Sequence, residues 1–215
     1  MINTLIVSGG NIEKDFFHEI YLNNRFDYVI ASDKGLEVLD KCKVKPNYII
    51  GDFDSLNEEI LRKYVNDNEK KIIKLNPEKD YTDTHMALKL AIELKSTNLT
   101  IIGAIGTRLD HTLANVHILK ETLEKDIECR IMDSRNEIQL INRKTTLELD
   151  ENYRYISLIP LTTMAKGVTL TGFKYPLLNA TLEVGHSVGV SNEQIEQIAQ
   201  INLEEGILIL IKSRD

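Results

Sequence analysis

Six aspartates stand in four short segments, and each segment follows an apolar run. The segments are Ala31-Ser32-Asp33-Lys34-Gly35, Gly51-Asp52-Phe53-Asp54-Ser55, Asn76-Pro77-Glu78-Lys79-Asp80-Tyr81-Thr82-Asp83-Thr84 and Gly103-Ala104-Ile105-Gly106-Thr107-Arg108-Leu109-Asp110-His111. Carboxylates gathered in one place repel each other and raise each other's pKa, so such a gathering needs a counter-charge. A divalent cation supplies it. Mg²⁺ takes hard oxygen ligands, commonly one or two carboxylates completed by water and substrate phosphates. Asp52 and Asp54, two residues apart, can both reach one ion if the loop between them turns. Lys34, Lys79 and Arg108 suit phosphate oxygens, and arginine can grip two at once. Gly103 and Gly106 would let backbone N–H groups approach an anion at the start of a helix. Acids, a metal, arginine and glycine together describe a site for nucleotide phosphates. No Gly-x-x-x-x-Gly-Lys-[Ser/Thr] run is present, so a P-loop is not the cradle.

The elements that must position these residues follow from hydrophobic periodicity. Leu5–Val7, Tyr28–Ala31, Tyr48–Ile50, Ile72–Leu75 and Leu99–Ile102 are short apolar runs of buried-strand length. Helical stretches lie between them, most clearly Asp83–Lys95 and Leu109–Glu124. Strand alternating with helix implies a parallel sheet with crossover helices, and Ile127–Met132 reads as its last strand. In such a sheet, ligands bind beyond the carboxyl ends of the strands, which is where the aspartates fall. After about Asp133 the pattern changes. Ile138–Ile141, Thr145–Leu149, Tyr153–Ile159, Val168–Leu170, Ala180–Val184, Ser187–Val190 and Ile207–Ile211 are strand-like, with turn signals between them. They predict an antiparallel sandwich or barrel. Asn192–Ile201 fits either a strand or a short helix. The expected division is 1–133 for an α/β nucleotide- and metal-binding domain and 134–215 for a β domain.

Composition narrows the class of protein. The chain has 215 residues, with 26 Lys+Arg against 33 Asp+Glu, a net charge of −7 and 42% hydrophobic residues. That length buries a sizeable core without staples. A net acidic chain without a basic stripe argues against a nucleic-acid partner. No apolar run approaches the ~18 residues of a membrane span. The first seven residues have neither a basic region nor a long apolar stretch, so no signal peptide is expected. Cys42 and Cys129 make no disulfide framework and no metal-ligand spacing, so a reducing, cytoplasmic setting is expected.

The acidic segments also carry a resemblance. Gly51-Asp52-Phe53-Asp54-Ser55, Lys79-Asp80-Tyr81-Thr82-Asp83 and Gly103-x-x-Gly106-x-Arg108-x-Asp110-His111 resemble the ordered motifs of the thiamin pyrophosphokinase family. Gly167–Leu177 and Gly189-Val190-Ser191-Asn192-Glu193 continue the likeness, so it covers nearly the whole chain in order. It implies a Rossmann-like parallel α/β domain followed by an antiparallel β-sandwich domain. It implies Mg²⁺-dependent transfer of a pyrophosphoryl group from ATP to the hydroxyl of thiamin, giving thiamin diphosphate and AMP. It also implies a homodimer in which thiamin lies between the α/β domain of one subunit and the β domain of the other. Carried over by position, Asp52, Asp54, Asp80 and Asp83 become metal ligands. Asp54, Asp80, Asp83 and Arg108 become catalytic; Asp33, Lys79, Arg108 and Asp110 contact ATP; Ser191 and Asn192 contact thiamin. Two other readings remain. A metal-dependent nucleotide-sugar transferase or phosphohydrolase would use Asp52 and Asp54, and a non-catalytic nucleotide sensor would bind without turnover.

Overall fold

The computed structural model describes residues 1–54, 56–65, 71–74 and 80–215, which divide into two compact units, Met1–Ser134 and Arg135–Asp215. In the first unit, β1 (Asn3–Val7), β2 (Tyr28–Ser32), β3 (Tyr48–Gly51), β4 (Lys71–Lys74), β5 (Asn98–Ile102) and β6 (Glu128–Met132) alternate with α1 (Lys14–Asn23), α2 (Gly35–Lys41), α3 (Glu58–Val65), α4 (Asp83–Glu93) and α5 (Leu109–Leu123). The strands run parallel in the order β4-β3-β2-β1-β5-β6. β1, β2 and β5 are each buried over their last four residues, as strands covered on both faces must be. The chain steps outward from β1 to β4 and then jumps back to place β5 on the other side of β1. The connections therefore diverge at the carboxyl ends of β1 and β5, where an open parallel sheet leaves a crevice. Leu5, Val7, Phe17, Leu36, Leu39 and Ile49 form the centre of the core.

The second unit contains two antiparallel sheets. β7 (Asn136–Ile141), β13 (Leu208–Ser213) and β9 (Tyr155–Pro160) form one, with β13 in the middle. β11 (Leu177–Glu183), β10 (Met164–Thr171), β12 (Ile198–Asn202) and β8 (Thr145–Glu148) form the other. Alternate residues of both, including Leu147, Leu158, Val168, Leu170, Ile201 and Leu210, share a single apolar cluster. Among the described residues, no helix is long and apolar enough to cross a membrane.

Two expectations need correction. Ser187–Val190 is a turn and not a strand. Gly189 has φ +99° and Ser191 has φ +57°, so the chain there repeatedly enters the left-handed region and cannot extend. Asn192–Ile201 is neither one strand nor a helix: only its last residues, from Ile198, join β12, and the rest is irregular with isolated bridges.

Candidate active site

Because the strands are parallel, the loops after β2, β3 and β5 leave from one rim of the first unit, the rim at which β4 also ends. Asp33 follows β2 in the left-handed conformation, φ +49°, which a short polar side chain tolerates. Its backbone N–H donates to the Ile50 carbonyl at 2.8 Å, and its carbonyl accepts from Leu36 N at 3.1 Å as α2 begins. The helix can start this close to β1 only because residue 35 is glycine: a Cβ there would sit 1.8 Å from the Val7 carbonyl oxygen. Oδ1 of Asp33 is buried.

The turn required between Asp52 and Asp54 is present. The Asp54 N–H donates to Asp52 Oδ1 at 3.2 Å, and Phe53 between them has φ +66°. A left-handed aromatic residue costs about 1–2 kcal/mol, and the payoff is geometric: two carboxylates flank an inserted ring that lies against Gly51. Asp52 is half-buried and Asp54 exposed. Together they line one side of a cavity of about 500 Å³.

α4 brings the next acids to the rim. Thr82 is its N-cap, its hydroxyl accepting from His85 N at 3.2 Å, so Asp83 is the first helical residue and does not cap. Oδ1 of Asp83 is buried, while Asp80 is exposed. The Thr84 and Ser8 hydroxyls bond at 3.0 Å and tie the start of α4 to the end of β1. A second anchor crosses to α5, where His85 Nε2 lies 2.7 Å from Glu121 Oε1 and Lys89 Nζ 3.7 Å from Oε2. Burial alone would raise the Glu121 carboxyl, but the His85 hydrogen bond and the charges of His85 and Lys89 outweigh it and hold the pKa below the ordinary value. The Tyr81 ring packs edge-on to His85 at 4.7 Å, with Lys89 Nζ 4.9 Å from its centre. Lys79 lies outside the described residues, as do Ser55 and Asn76–Glu78 of the same motifs.

At the start of α5, Arg108 and Asp110 face each other: Nε donates to Oδ1 at 3.3 Å and Nη2 to Oδ2 at 2.6 Å. Each holds the other's charge, the Asp110 carboxyl below its usual range and the Arg108 guanidinium above. Asp110 is therefore placed to aim the guanidinium, which keeps donors for an anion. The two glycines before them differ. Gly103 has φ +70°, and a Cβ would lie 2.5 Å from the Ser8 carbonyl oxygen, so the close approach of the β1 and β5 loops accounts for it. Around Gly106 there is open space.

In the second unit the two predicted residues behave differently. Ser191 is exposed, and its N–H donates to Ser157 Oγ at 3.0 Å. Asn192 is 5% exposed, and its amide makes three hydrogen bonds. Oδ1 accepts from Tyr175 N at 3.0 Å and Glu193 N at 2.9 Å, and Nδ2 donates to the Tyr175 carbonyl at 2.7 Å. The amide thus clamps Tyr175 by both backbone groups and presents its ring to solvent at 58% exposure. Lys174 Nζ and Glu193 Oε1 pair at 2.9 Å beside it. Sequence reasoning did not isolate Tyr175; an aromatic residue before Pro176 in a glycine-rich segment was the available signal.

An α/β unit that carries acids and an Arg–Asp pair at the carboxyl ends of its parallel strands is the class this rim defines. Comparison with known proteins makes it specific. The profile for the thiamin pyrophosphokinase catalytic domain matches residues 20–131, and that for the thiamin pyrophosphokinase vitamin B1 binding domain matches residues 144–208. A thiamine pyrophosphokinase of Bacillus subtilis is 37% identical over 187 residues, 86% of this chain and 87% of the relative. Thiamin pyrophosphokinase 1 of Caenorhabditis elegans is 28% identical over 79% of this chain and 72% of its own. The crystal structure of the thiamine pyrophosphokinase from Bacillus subtilis superposes with a TM-score of 0.89 at 34% identity, covering 99% of each chain. The chain belongs to the thiamin pyrophosphokinase family.

Proposed function

We infer that this protein transfers a pyrophosphoryl group from ATP to the hydroxyl of thiamin, giving thiamin diphosphate and AMP. The observation that carries the reading is that both family domains match, in order, across one chain. A nucleotide-sugar transferase, a phosphohydrolase or a silent sensor leaves the second match unexplained.

The residue roles are proposed from the rim. Asp52, Asp54, Asp80 and Asp83 would hold Mg²⁺. Their carboxylate oxygens are the hard donors this ion prefers. Among the described residues, no three His, Cys, Asp or Glu side chains stand together as a ready metal cage. The four aspartates are therefore a proposed ligand set that the described residues do not bring together as a cluster, and substrate phosphates would have to complete it. Bound there with ATP, Mg²⁺ supplies positive charge to the phosphate oxygens.

The thiamin hydroxyl attacks the β-phosphorus, the bond to the oxygen bridging the α-phosphorus breaks, and AMP departs with that oxygen. Arg108, steered by Asp110, meets charge growing toward the leaving group, with Lys79 assisting. Asp80 or Asp83 accepts the hydroxyl proton. Asp33 faces the nucleotide side. In the second unit Ser191 contacts thiamin, Asn192 serves by holding Tyr175, and the Tyr175 ring stacks on the substrate. The parallel order around β1 and the two sheets sharing one core support the Rossmann-like and sandwich forms of the two domains. A homodimer that places thiamin between the α/β domain of one copy and the β domain of the other completes the reading. The unbridged Cys42 and Cys129 suit a reducing cytoplasm.

Product analysis tests it. Purified protein with ATP, Mg²⁺ and thiamin is expected to yield AMP and thiamin diphosphate one-for-one, and neither without thiamin. Nucleoside diphosphate or inorganic phosphate in their place would overturn the reading.

A further inference from the structure

The loop between β5 and α5 carries Arg108, and residues 106–111 are all exposed. A Cβ at Gly106 would meet nothing within 4 Å, so packing does not fix the loop there. Polar side chains of α5 reach back to it instead. Thr112, half-buried, accepts the Gly106 N–H at 3.2 Å. Its one hydroxyl proton is shared between the carbonyls of Arg108 at 3.3 Å and Gly106 at 3.5 Å. Asn115, three residues on along the same side of α5 and 6% exposed, donates Nδ2 to the Ala104 carbonyl at 2.8 Å. We propose that Thr112 and Asn115 are positioning residues: they latch the β5–α5 loop so that the Arg108 guanidinium meets the phosphates in one orientation. The proposal rests on the transfer reading above and adds the groups that hold its arginine.

Three features point the same way. The Gly106 N–H, which the bare sequence offers to an anion, is already given to Thr112. It therefore serves as scaffold, and the guanidinium is left to take the anion. The latches also bracket the arginine. Thr112 holds the backbone of 106 and 108, Asn115 holds that of 104, and the Gly103 carbonyl accepts from Gly10 N at 2.9 Å. The loop is thus tied to the sheet at one end and to α5 at the other. Finally, Arg108 occupies the N-cap position of α5 but makes no side-chain cap bond, so its side chain is free to extend to Asp110 at 3.3 and 2.6 Å. Asp110 aims the guanidinium relative to the helix; Thr112 and Asn115 aim the start of the helix relative to the sheet. On an unlatched loop the arginine would have to be ordered at each turnover, and a misplacement of about 1 Å costs up to ~100-fold in rate.

The test uses the full-length protein in steady-state assays with ATP, Mg²⁺ and thiamin, together with solvent-exchange NMR of the Gly106 amide. Thr112→Val keeps the shape and removes the hydroxyl. It is expected to lower kcat about tenfold or more with the KM values for ATP and thiamin within about twofold of wild type. Thr112→Ser, which keeps the hydroxyl, is expected to restore kcat to within about twofold. In an Arg108→Ala background, Thr112→Val is expected to cost less than about twofold more, because it acts through that side chain. Losses that multiply across the two substitutions, or a Thr112→Val kcat equal to wild type, would overturn the proposal. Asn115→Ala is expected to show the same dependence on Arg108. The amide measurement needs no variant: Gly106 in the wild type is expected to exchange about fivefold or more slowly than in an unstructured peptide. Unprotected exchange overturns the latch even where a variant does not fold. Failure here is distinguishable from failure of the transfer reading. Wild-type protein with a protected Gly106 amide that makes no thiamin diphosphate keeps the latch and removes the reaction. Turnover with an unprotected amide, or with multiplying losses, does the reverse.

Discussion

Replacing Asn192 by alanine deletes three hydrogen bonds at once, two accepted by Oδ1 and one donated by Nδ2, at a site 5% exposed. Each such bond is worth about 1 kcal/mol net, and a group left unsatisfied in a buried place costs about 1–3 kcal/mol. The backbone N–H groups of Tyr175 and Glu193 and the Tyr175 carbonyl lose their partner together, so the expected loss is about 3 kcal/mol of stability. Equilibrium urea denaturation of the two proteins measures it. Asn192→Asp separates the roles of the two amide atoms. It keeps both accepted bonds but sets a carboxylate against the Tyr175 carbonyl oxygen, and is expected to cost about 1–3 kcal/mol. Under the proposed role of Tyr175, the folded fraction of either variant should also show a raised thiamin KM with the ATP KM unchanged. A loss below about 0.5 kcal/mol for Asn192→Ala, typical of an ordinary surface change, would refute the clamp. A full stability loss with an unmoved thiamin KM would instead refute the part given to the Tyr175 ring.

Other outcomes can be checked directly. Asp54→Asn should lose at least ~100-fold in turnover at saturating Mg²⁺ while its circular dichroism spectrum stays unchanged, since Asp54 is exposed; near-normal turnover removes it from the metal set. Gly35→Ala should destabilise by about 3 kcal/mol or more, read in thermal unfolding, because its Cβ would collide with the Val7 carbonyl oxygen at 1.8 Å. The Glu121 carboxyl is held below its unfolded pKa of 4.5, so its contribution is present above that value and disappears as pH falls through the lowered folded value. Glu121→Gln should therefore destabilise most near neutrality, and the gap from wild type in urea midpoints should close on acidification past the ordinary carboxylate range.

The α/β half was legible because strands buried on both faces must be continuously apolar, which sets runs such as Leu5–Val7 and Leu99–Ile102 apart from any surface element. The expected helix Asp83–Lys95 starts where α4 starts and overruns its end by two residues; the extended backbone of Thr82, at φ −69° and ψ 159°, makes that residue the N-cap. Ser187–Val190 misled because alternating valines look like a strand while the neighbouring positive-φ positions forbid one. At the site, residue types were legible and their use was not. Nothing in the order of residues shows that Phe53 takes a left-handed backbone, or that the Asn192 amide bonds to the backbone of Tyr175 and Glu193. Both are settled by tertiary neighbours. Pairing of Arg108 with Asp110 was hidden for a different reason: side chains two apart do not face each other on a helix, and these do only because Arg108 precedes the first turn.

The place of β13 bears on how the second unit is made. β7 and β9 meet only through β13, which follows every other strand of the unit in the chain. A ribosome must therefore finish Leu208–Ser213 before this sheet can close. Until then β7 and β9 each offer an open edge to other nascent chains. Shortening the chain from this end removes a middle strand and not a fringe, so a frameshift or nonsense codon upstream of Leu208 should send the product to aggregation or proteolysis, however intact its first 134 residues.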